Sequence, residues 1–276
     1  MSAKPFFIVS SGRSGTAMLH KALSAEPGVE MHHEYMVHVA QPLAVRRYQG
    51  LIGAAEALTG IVRTHAAAAH YSAAAQWGDS SNKLSWLIPE LAQAMPQAKF
   101  VHLVRDGRKV AGSYHRKLGD ECYDDRSTAI LQAHVDDPSA VPAPPPEKKY
   151  WWPVPRRGDP MAQAFRGFDQ FERICWHWAQ INRVILEALA ALPAARQIFV
   201  RLEELHQSPR AVQGLYDFLD LPCRDDAFAI FARPHNVNRP EDRLLDARER
   251  ARFDAIAGGM MERLGYADRA EYVVNY

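Results

Sequence analysis

The chain has 276 residues, a length that suits one α/β domain or two small ones and allows a sizeable core. Hydrophobic residues make up 47% and charged residues 24%, both ordinary for a globular protein. Net charge is +1, so no global field draws the chain to nucleic acid or a membrane surface, and any basic site must be local and serve a local anion.

Phe6-Phe7-Ile8-Val9 is a short run of apolar β-formers and predicts a buried strand. Ser10-Ser11-Gly12-Arg13-Ser14-Gly15-Thr16-Ala17 follows, and then Met18, Leu19 and Leu23 fall at helical spacing. Strand, loop and helix in that order aim free backbone N–H groups and a helix N-terminus at an anion. Gly12 and Gly15 let the backbone approach it, while Arg13, Ser14 and Thr16 add a charge and hydroxyl donors. The stretch matches a nucleotide-triphosphate loop poorly, since that loop needs four residues between its glycines and then Gly-Lys-Ser/Thr. Two residues separate Gly12 from Gly15, and no Lys follows.

Further along, Gly15 to Ala25 predicts a helix closed by Pro27-Gly28, and Val29-Glu30-Met31 a short strand running into His32-His33-Glu34-Tyr35. Residues 36–77 read as mostly helical, and the Ala-rich run Ala66 to Ala75 as soluble helix. Gly78-Asp79-Ser80-Ser81-Asn82-Lys83 reads as a turn-rich loop. Pro89 to Met95 is a short helix, and Lys99-Phe100-Val101-His102-Leu103-Val104 a strand covered on both faces. Prolines at 138, 142 and 144–146 make the segment of about 136–160 extended chain, either a binding loop or a surface insertion, ending in Lys148-Lys149-Tyr150-Trp151-Trp152. Apolar residues from Phe165 to Leu189 step by three or four, a long amphipathic helix. Gln197 to Leu202 is another strand, Ser208-Pro209 opens a helix, and a charged helix spans Asp242 to Leu264. Alternating strands and helices define an α/β fold with a mainly parallel central sheet flanked by helices in three layers. The expected organisation is one domain over 1–276 carrying the Pro-rich insertion.

Cys122, Cys175 and Cys223 are far apart and show no metal spacing, so reduced thiols in a cytoplasmic protein are expected, with no metal. The N-terminus shows no signal peptide, and no stretch reaches the length of a membrane span.

A second anion motif lies at Arg105-Asp106-Gly107-Arg108, after the strand at 99–104, with Ser113 eight residues beyond Arg105. Arg105 stands at a strand's carboxyl end, where open α/β sheets bind ligands, and a guanidinium fork with a hydroxyl suits a phosphate monoester. Taken together, the two motifs resemble the sulfotransferases that use 3′-phosphoadenosine 5′-phosphosulfate (PAPS), a family with a P-loop-like fold. The resemblance implies that the loop Gly12 to Ala17 holds the 5′-phosphosulfate, with Arg13, Ser14, Gly15 and Thr16 on the family's pattern. It implies that Arg105 and Ser113 hold the 3′-phosphate. It continues in Val200-Arg201-Leu202-Glu203-Glu204-Leu205 and Leu219-Asp220-Leu221-Pro222.

Three residues depart from that pattern. Ala17 replaces a second hydroxyl residue, Gly107 a Pro, and Leu202 a Tyr that often lies near the nucleotide. Lys148, Tyr150, Trp151, Asn238 and Arg239 are candidates for the nucleotide contacts this leaves unfilled, on composition alone. The implied reaction moves a sulfuryl group in line to a hydroxyl or amine on a small-molecule, lipid or carbohydrate acceptor. Arg13 would steady the leaving oxygen, and a base would take the acceptor's proton. Glu34 is the first candidate base, with burial expected to raise its pKa, and His33 the second; Asp79, His65, His70 and His115 are others. A P-loop kinase of small molecules, or a nucleotide-binding scaffold without catalysis, are the competing readings.

Overall fold

The computed structural model describes residues 3–119, 121–224, 227–232 and 244–271. Asn238 and Arg239 lie outside the described residues.

Five parallel strands form one sheet in the order β2-β3-β1-β4-β5: β1 (Lys4–Val9), β2 (Val29–His33), β3 (Gln76–Ser80), β4 (Lys99–Val104) and β5 (Gln197–Arg201). Between β1 and β2 runs α1 (Thr16–Ser24). Between β2 and β3 lie α2 (Val37–Gln49), α3 (Ala54–Ile61), a π-helical turn at Val62–Ala66 and α4 (Ala67–Tyr71). Between β3 and β4 is α5 (Ile88–Ala94). The longest crossover, from β4 to β5, holds α6 (Gly107–Lys117), α7 (Asp125–Asp136), the short α8 (Ala162–Phe165) and α9 (Gln170–Ala190). After β5 come α10 (Leu202–Gln207), α11 (Pro209–Phe218), α12 (Ala227–Ala232) and α13 (Ala247–Arg263).

Alternation along β1 sets the layers. Phe7 and Val9 face a cluster built with α2, α3, α5 and the later half of α9, while Phe6 and Ile8 face one built with α1, α10, α11 and α12. A third cluster joins α6, α7, α9 and α13 to the Pro-rich segment. Both faces of the sheet are covered, as the apolar run of β4 predicts.

The structure corrects three sequence expectations and decides between two alternatives in a fourth. First, Gly78-Asp79-Ser80 is strand, not loop: it ends β3, which is buried throughout and pairs with β1 on one side and β2 on the other. Turn-forming residue types hid it. Gly78 is required because an added Cβ would stand 2.2 Å from the Phe6 ring and 2.7 Å from Met31 Sδ. Second, the short helix between them predicts that β2 lies beside β1, but β3 stands between the two. Third, the helix expected from Phe165 is broken: α9 starts at Gln170, where Asp169 and Glu172 close a capping box.

Fourth, the Pro-rich segment is no loose insertion. Trp151, Trp152 and Val154 are buried in it. Several of its backbone carbonyls are points of attachment: Gln41 Nε2 donates to the Lys148 and Trp151 carbonyls at 3.1 and 2.8 Å, and Tyr123 Oη to that of Pro153 at 2.6 Å.

Candidate functional site

The site forms at the carboxyl ends of β1, β2, β3 and β4. The loop after β1 is held from within by its own serines. Ser10 N–H donates to Ser85 Oγ at 3.0 Å, Gly12 N–H to Ser10 Oγ at 3.0 Å, and Ser14 Oγ to the Gly12 carbonyl at 3.0 Å. Ser11 and Ser14 hydroxyls share a further bond of 3.0 Å, and Ser14 is wholly buried. Ser14 therefore shapes the loop from beneath. Gly12, Arg13 and Gly15 all take positive φ, 77°, 54° and 93°. An added Cβ on Gly12 would stand 2.0 Å from Tyr114 Oη, and one on Gly15 2.5 Å from Leu202 Cδ1. Left-handed residues at a helix N-terminus turn successive N–H groups to one side, the concavity that cradles phosphate-type anions.

The second motif closes on the first. Arg13 Nε donates to Ser113 Oγ at 3.0 Å, and Arg105 Nη1 to the Arg13 carbonyl at 3.1 Å. Tyr114, next to Ser113 on α6, donates to the Ser11 carbonyl at 3.0 Å. The start of α6 is fixed without the Pro that Gly107 replaces. Asp106 caps it through the Arg108 amide at 2.9 Å, and an added Cβ on Gly107 would stand 2.7 Å from both Phe253 and Trp178.

One cavity of about 330 Å³ runs over this surface. Gly12, Arg13, Gly15, Thr16, Ala17, Arg105 and Ser113 line one end, with Lys117, Leu202 and His206. His33, Glu34, Lys83, Lys148 and Trp152 line the other.

Glu34 is clasped by two lysines. Its Oε1 accepts from Lys83 Nζ at 2.7 Å and its Oε2 pairs with Lys148. Burial alone would raise this carboxyl; the two ammonium groups and their hydrogen bonds outweigh burial and hold its pKa at about 2. The expected upward shift is thus reversed. Lys83 is almost wholly buried, and burial lowers its pKa against the pull of Glu34. Its ammonium also lies 5.3 Å from the centre of the Trp152 ring. His33 Nδ1 lies 3.0 Å from the Ser80 carbonyl and 2.9 Å from Ser80 Oγ. With Nδ1–H donating to that carbonyl, Nε2 is left as the acceptor.

Asp79 is fully buried behind the cavity and is not in its lining, and His65 is buried against it. His70 is exposed on α4, and His115 packs edge-on against Phe171. Trp151 points into the core, while its neighbour Trp152 reaches the cavity. Sequence reasoning left out Lys83 and Trp152. Lys83 carried one signal, an ammonium just past the end of a strand, which was invisible while β3 read as loop. Among the described residues no group of three or more His, Cys, Asp or Glu is placed to hold a metal ion, and no helix is long and apolar enough to cross a membrane.

A parallel five-stranded sheet with a glycine-containing strand-to-helix loop after its central strand defines a P-loop-like α/β protein, and the fold is that of the sulfotransferases. Residues 5–136, which carry both anion motifs, Glu34 and Lys83, match the family model described as Sulfotransferase family. The match covers the stretch in which the sequence motifs lie. No curated protein matches the chain.

Three solved structures share the fold over nearly the whole length. A sulfotransferase from Alicyclobacillus acidocaldarius has 15% identity and a TM-score of 0.51, covering 98% of this chain and 97% of its own. The sulfotransferase domain of the Synechococcus PCC 7002 olefin synthase has 16% identity and a TM-score of 0.51, covering 94% and 95%. The sulfotransferase domain from the curacin biosynthetic pathway has 13% identity and a TM-score of 0.50, covering 96% and 98%.

Proposed function

We propose that the protein transfers a sulfuryl group from PAPS to a hydroxyl or amine on a small-molecule, lipid or carbohydrate acceptor. The observation that carries this reading is the direct contact of the two anion motifs, Arg13 with Ser113 and Arg105 with the Arg13 carbonyl. A ligand with one anionic group needs one such motif. A nucleotide with phosphates on both sides of its ribose needs two, joined on one surface. The residues fit that group: Gly12 and Gly15 have no room for a Cβ, and guanidinium, hydroxyl and backbone N–H donors line the same end of the cavity.

PAPS, when bound, supplies an activated sulfuryl group with a phosphate as leaving group. Thr16, the loop N–H groups and Arg13 would hold its 5′ end, and Arg105 and Ser113 its 3′-phosphate. Leu202, pressed on Gly15, offers an apolar surface where the family often has Tyr. Lys83, buried beside Glu34 and lining the same cavity as the loop, would stabilise charge gathering on the leaving oxygen. Glu34 would take the acceptor's proton. A carboxylate held at about 2 is a weak base. An anionic donor competes for Lys83 and Lys148, and each ammonium it draws off lets the Glu34 pKa rise. The base is thereby strengthened only when the donor is in place. His33, with Nε2 free to accept, is the second candidate.

The test is a radiolabelled transfer assay with PAPS against hydroxyl and amine acceptors, run beside ATP with magnesium. Transfer from PAPS supports the reading. Transfer from ATP alone makes the protein a kinase. Tight binding of adenosine 3′,5′-bisphosphate without turnover on any acceptor makes it a nucleotide-binding scaffold.

A further inference from the structure

The turn that carries Glu34 is built against its own preference. Glu34 and Met36 both take left-handed backbone, φ 57° and 50°, although neither is glycine. Such residues persist only where their surroundings over-determine them. Here β3 does so. The Glu34 amide donates to the Ser80 carbonyl at 3.1 Å, and the Tyr35 amide donates to Asp79 Oδ1 at 3.2 Å.

Asp79 is a costly residue for this task. Its side chain is wholly buried, and Oδ2 has no hydrogen-bond partner. What faces Oδ2 is His65 Nε2, 3.5 Å away, equally buried and also without a hydrogen-bond partner. His65 sits in the π-helical turn at Val62–Ala66, and its Nδ1 lies 2.9 Å from Thr64 Oγ1. Turns of this kind re-aim one side chain within a helix. The Tyr35 ring stands edge-on to both His65 and Trp77, with centroids 5.4 Å away in each case. So Asp79 and His65 grip residue 35 by backbone and by ring, between the two strained residues.

We infer that Asp79 is a positioning residue: backed by His65, it holds the turn at residues 34–36 so that the Glu34 carboxylate meets Lys83 in the cavity. The kinetic part of this inference rests on Glu34 being the base; the structural part does not. A polar group buried without access to the cavity cannot exchange protons with an acceptor there, so Asp79 acts through Glu34.

The experiment measures the Glu34 carboxyl titration by carbon-13 NMR, turnover, and adenosine 3′,5′-bisphosphate binding in the wild type, Asp79→Ala and Asp79→Asn. Asn keeps an acceptor for the Tyr35 amide, and Ala does not. In Asp79→Ala the Glu34 titration should rise from about 2 by about one pH unit or more, as the carboxylate drifts from Lys83. Turnover should fall about 10–100-fold, the scale of a small misplacement, with nucleotide binding unchanged. Asp79→Asn should restore both. An unmoved Glu34 titration in Asp79→Ala, a loss of nucleotide binding that matches the loss of turnover, or no rescue by Asn each overturns the inference. A moved titration in a protein that transfers nothing from PAPS refutes the proposed function and leaves the positioning role standing. Should Asp79→Ala not fold, amide hydrogen exchange in the wild type decides: the Tyr35 amide should exchange slowly, and fast exchange overturns the contact.

Discussion

Arg13 and Ser113 are a hundred residues apart in the chain and 3.0 Å apart in the structure, guanidinium nitrogen to hydroxyl. One comes from the loop after β1 and the other from α6 after β4, and the pairing of those strands brings them together. A double-mutant cycle on adenosine 3′,5′-bisphosphate binding should therefore be non-additive. For residues in contact the interaction free energy is about 0.5–3 kcal/mol. Strict additivity of Arg13→Ala and Ser113→Ala, measured by calorimetry, would separate the two motifs.

Arg105→Ala should weaken that nucleotide by about 2–5 kcal/mol, the loss expected of a desolvated charge partner. Ser113→Ala should cost less, about 1.5–3 kcal/mol for a hydroxyl bonded to a charged group. Adenosine 5′-phosphate, lacking the 3′-group, should hardly respond to either change. The order is the sharper test: a larger loss from Ser113→Ala reverses the assigned roles.

Glu34→Gln should lower turnover about 10²–10⁴-fold, the usual worth of a positioned base. If Glu34→Gln turns over normally and His33→Ala does not, the base is His33. The same variant has a signature in stability. The Glu34 carboxyl is depressed from its ordinary 4.5 to about 2, so its contribution is full above about pH 4.5 and is lost as pH falls towards 2. The wild-type melting temperature should fall through that window, and Glu34→Gln should lack that part of the fall.

Gly12→Ala should be poorly tolerated. Its φ of 77° costs an L-residue about 1–2 kcal/mol, and the new methyl would meet Tyr114 Oη. Gly50→Ala is the control, since its φ of 75° is alike but nothing lies within 4 Å of the added carbon. Chemical denaturation should show the larger loss at Gly12, and nucleotide binding should suffer there alone.

The arrangement of the Arg13–Ser113 end was legible in the sequence because its parts are local. A strand, a Gly-containing loop and a helix succeed one another within about twenty residues, and Arg105 and Ser113 sit at a fixed offset, one just past a strand and one on the helix that follows. The Glu34 end was not. Gly78, Asp79 and Ser80 carry turn-forming types because close backbone approach and a buried carboxylate were needed there, and that cost the strand its signature. Lys83 and Lys148 meet on Glu34 from segments 65 residues apart, and no periodicity reports such a meeting. The downward pKa shift of Glu34 was missed for the same reason: burial is readable from apolar neighbours, whereas the countering charges arrive through topology.

The Pro-rich segment is anchored by atoms that every residue type owns. Gln41, Gln49 and Tyr123 donate to the carbonyl oxygens of Lys148, Trp151, Val154 and Pro153, and Trp151 Nε1 donates to that of Pro145. A carbonyl accepts equally well whatever side chain its residue bears. Exposed side chains along this path can therefore be exchanged while the path stays put, as tiles are changed on a fixed frame, whereas Trp151, Trp152 and Val154 belong to the core. Under the proposed function, substitutions at the exposed positions of this wall would alter the surroundings of the acceptor and leave the Arg13–Ser113 end of the cavity in place.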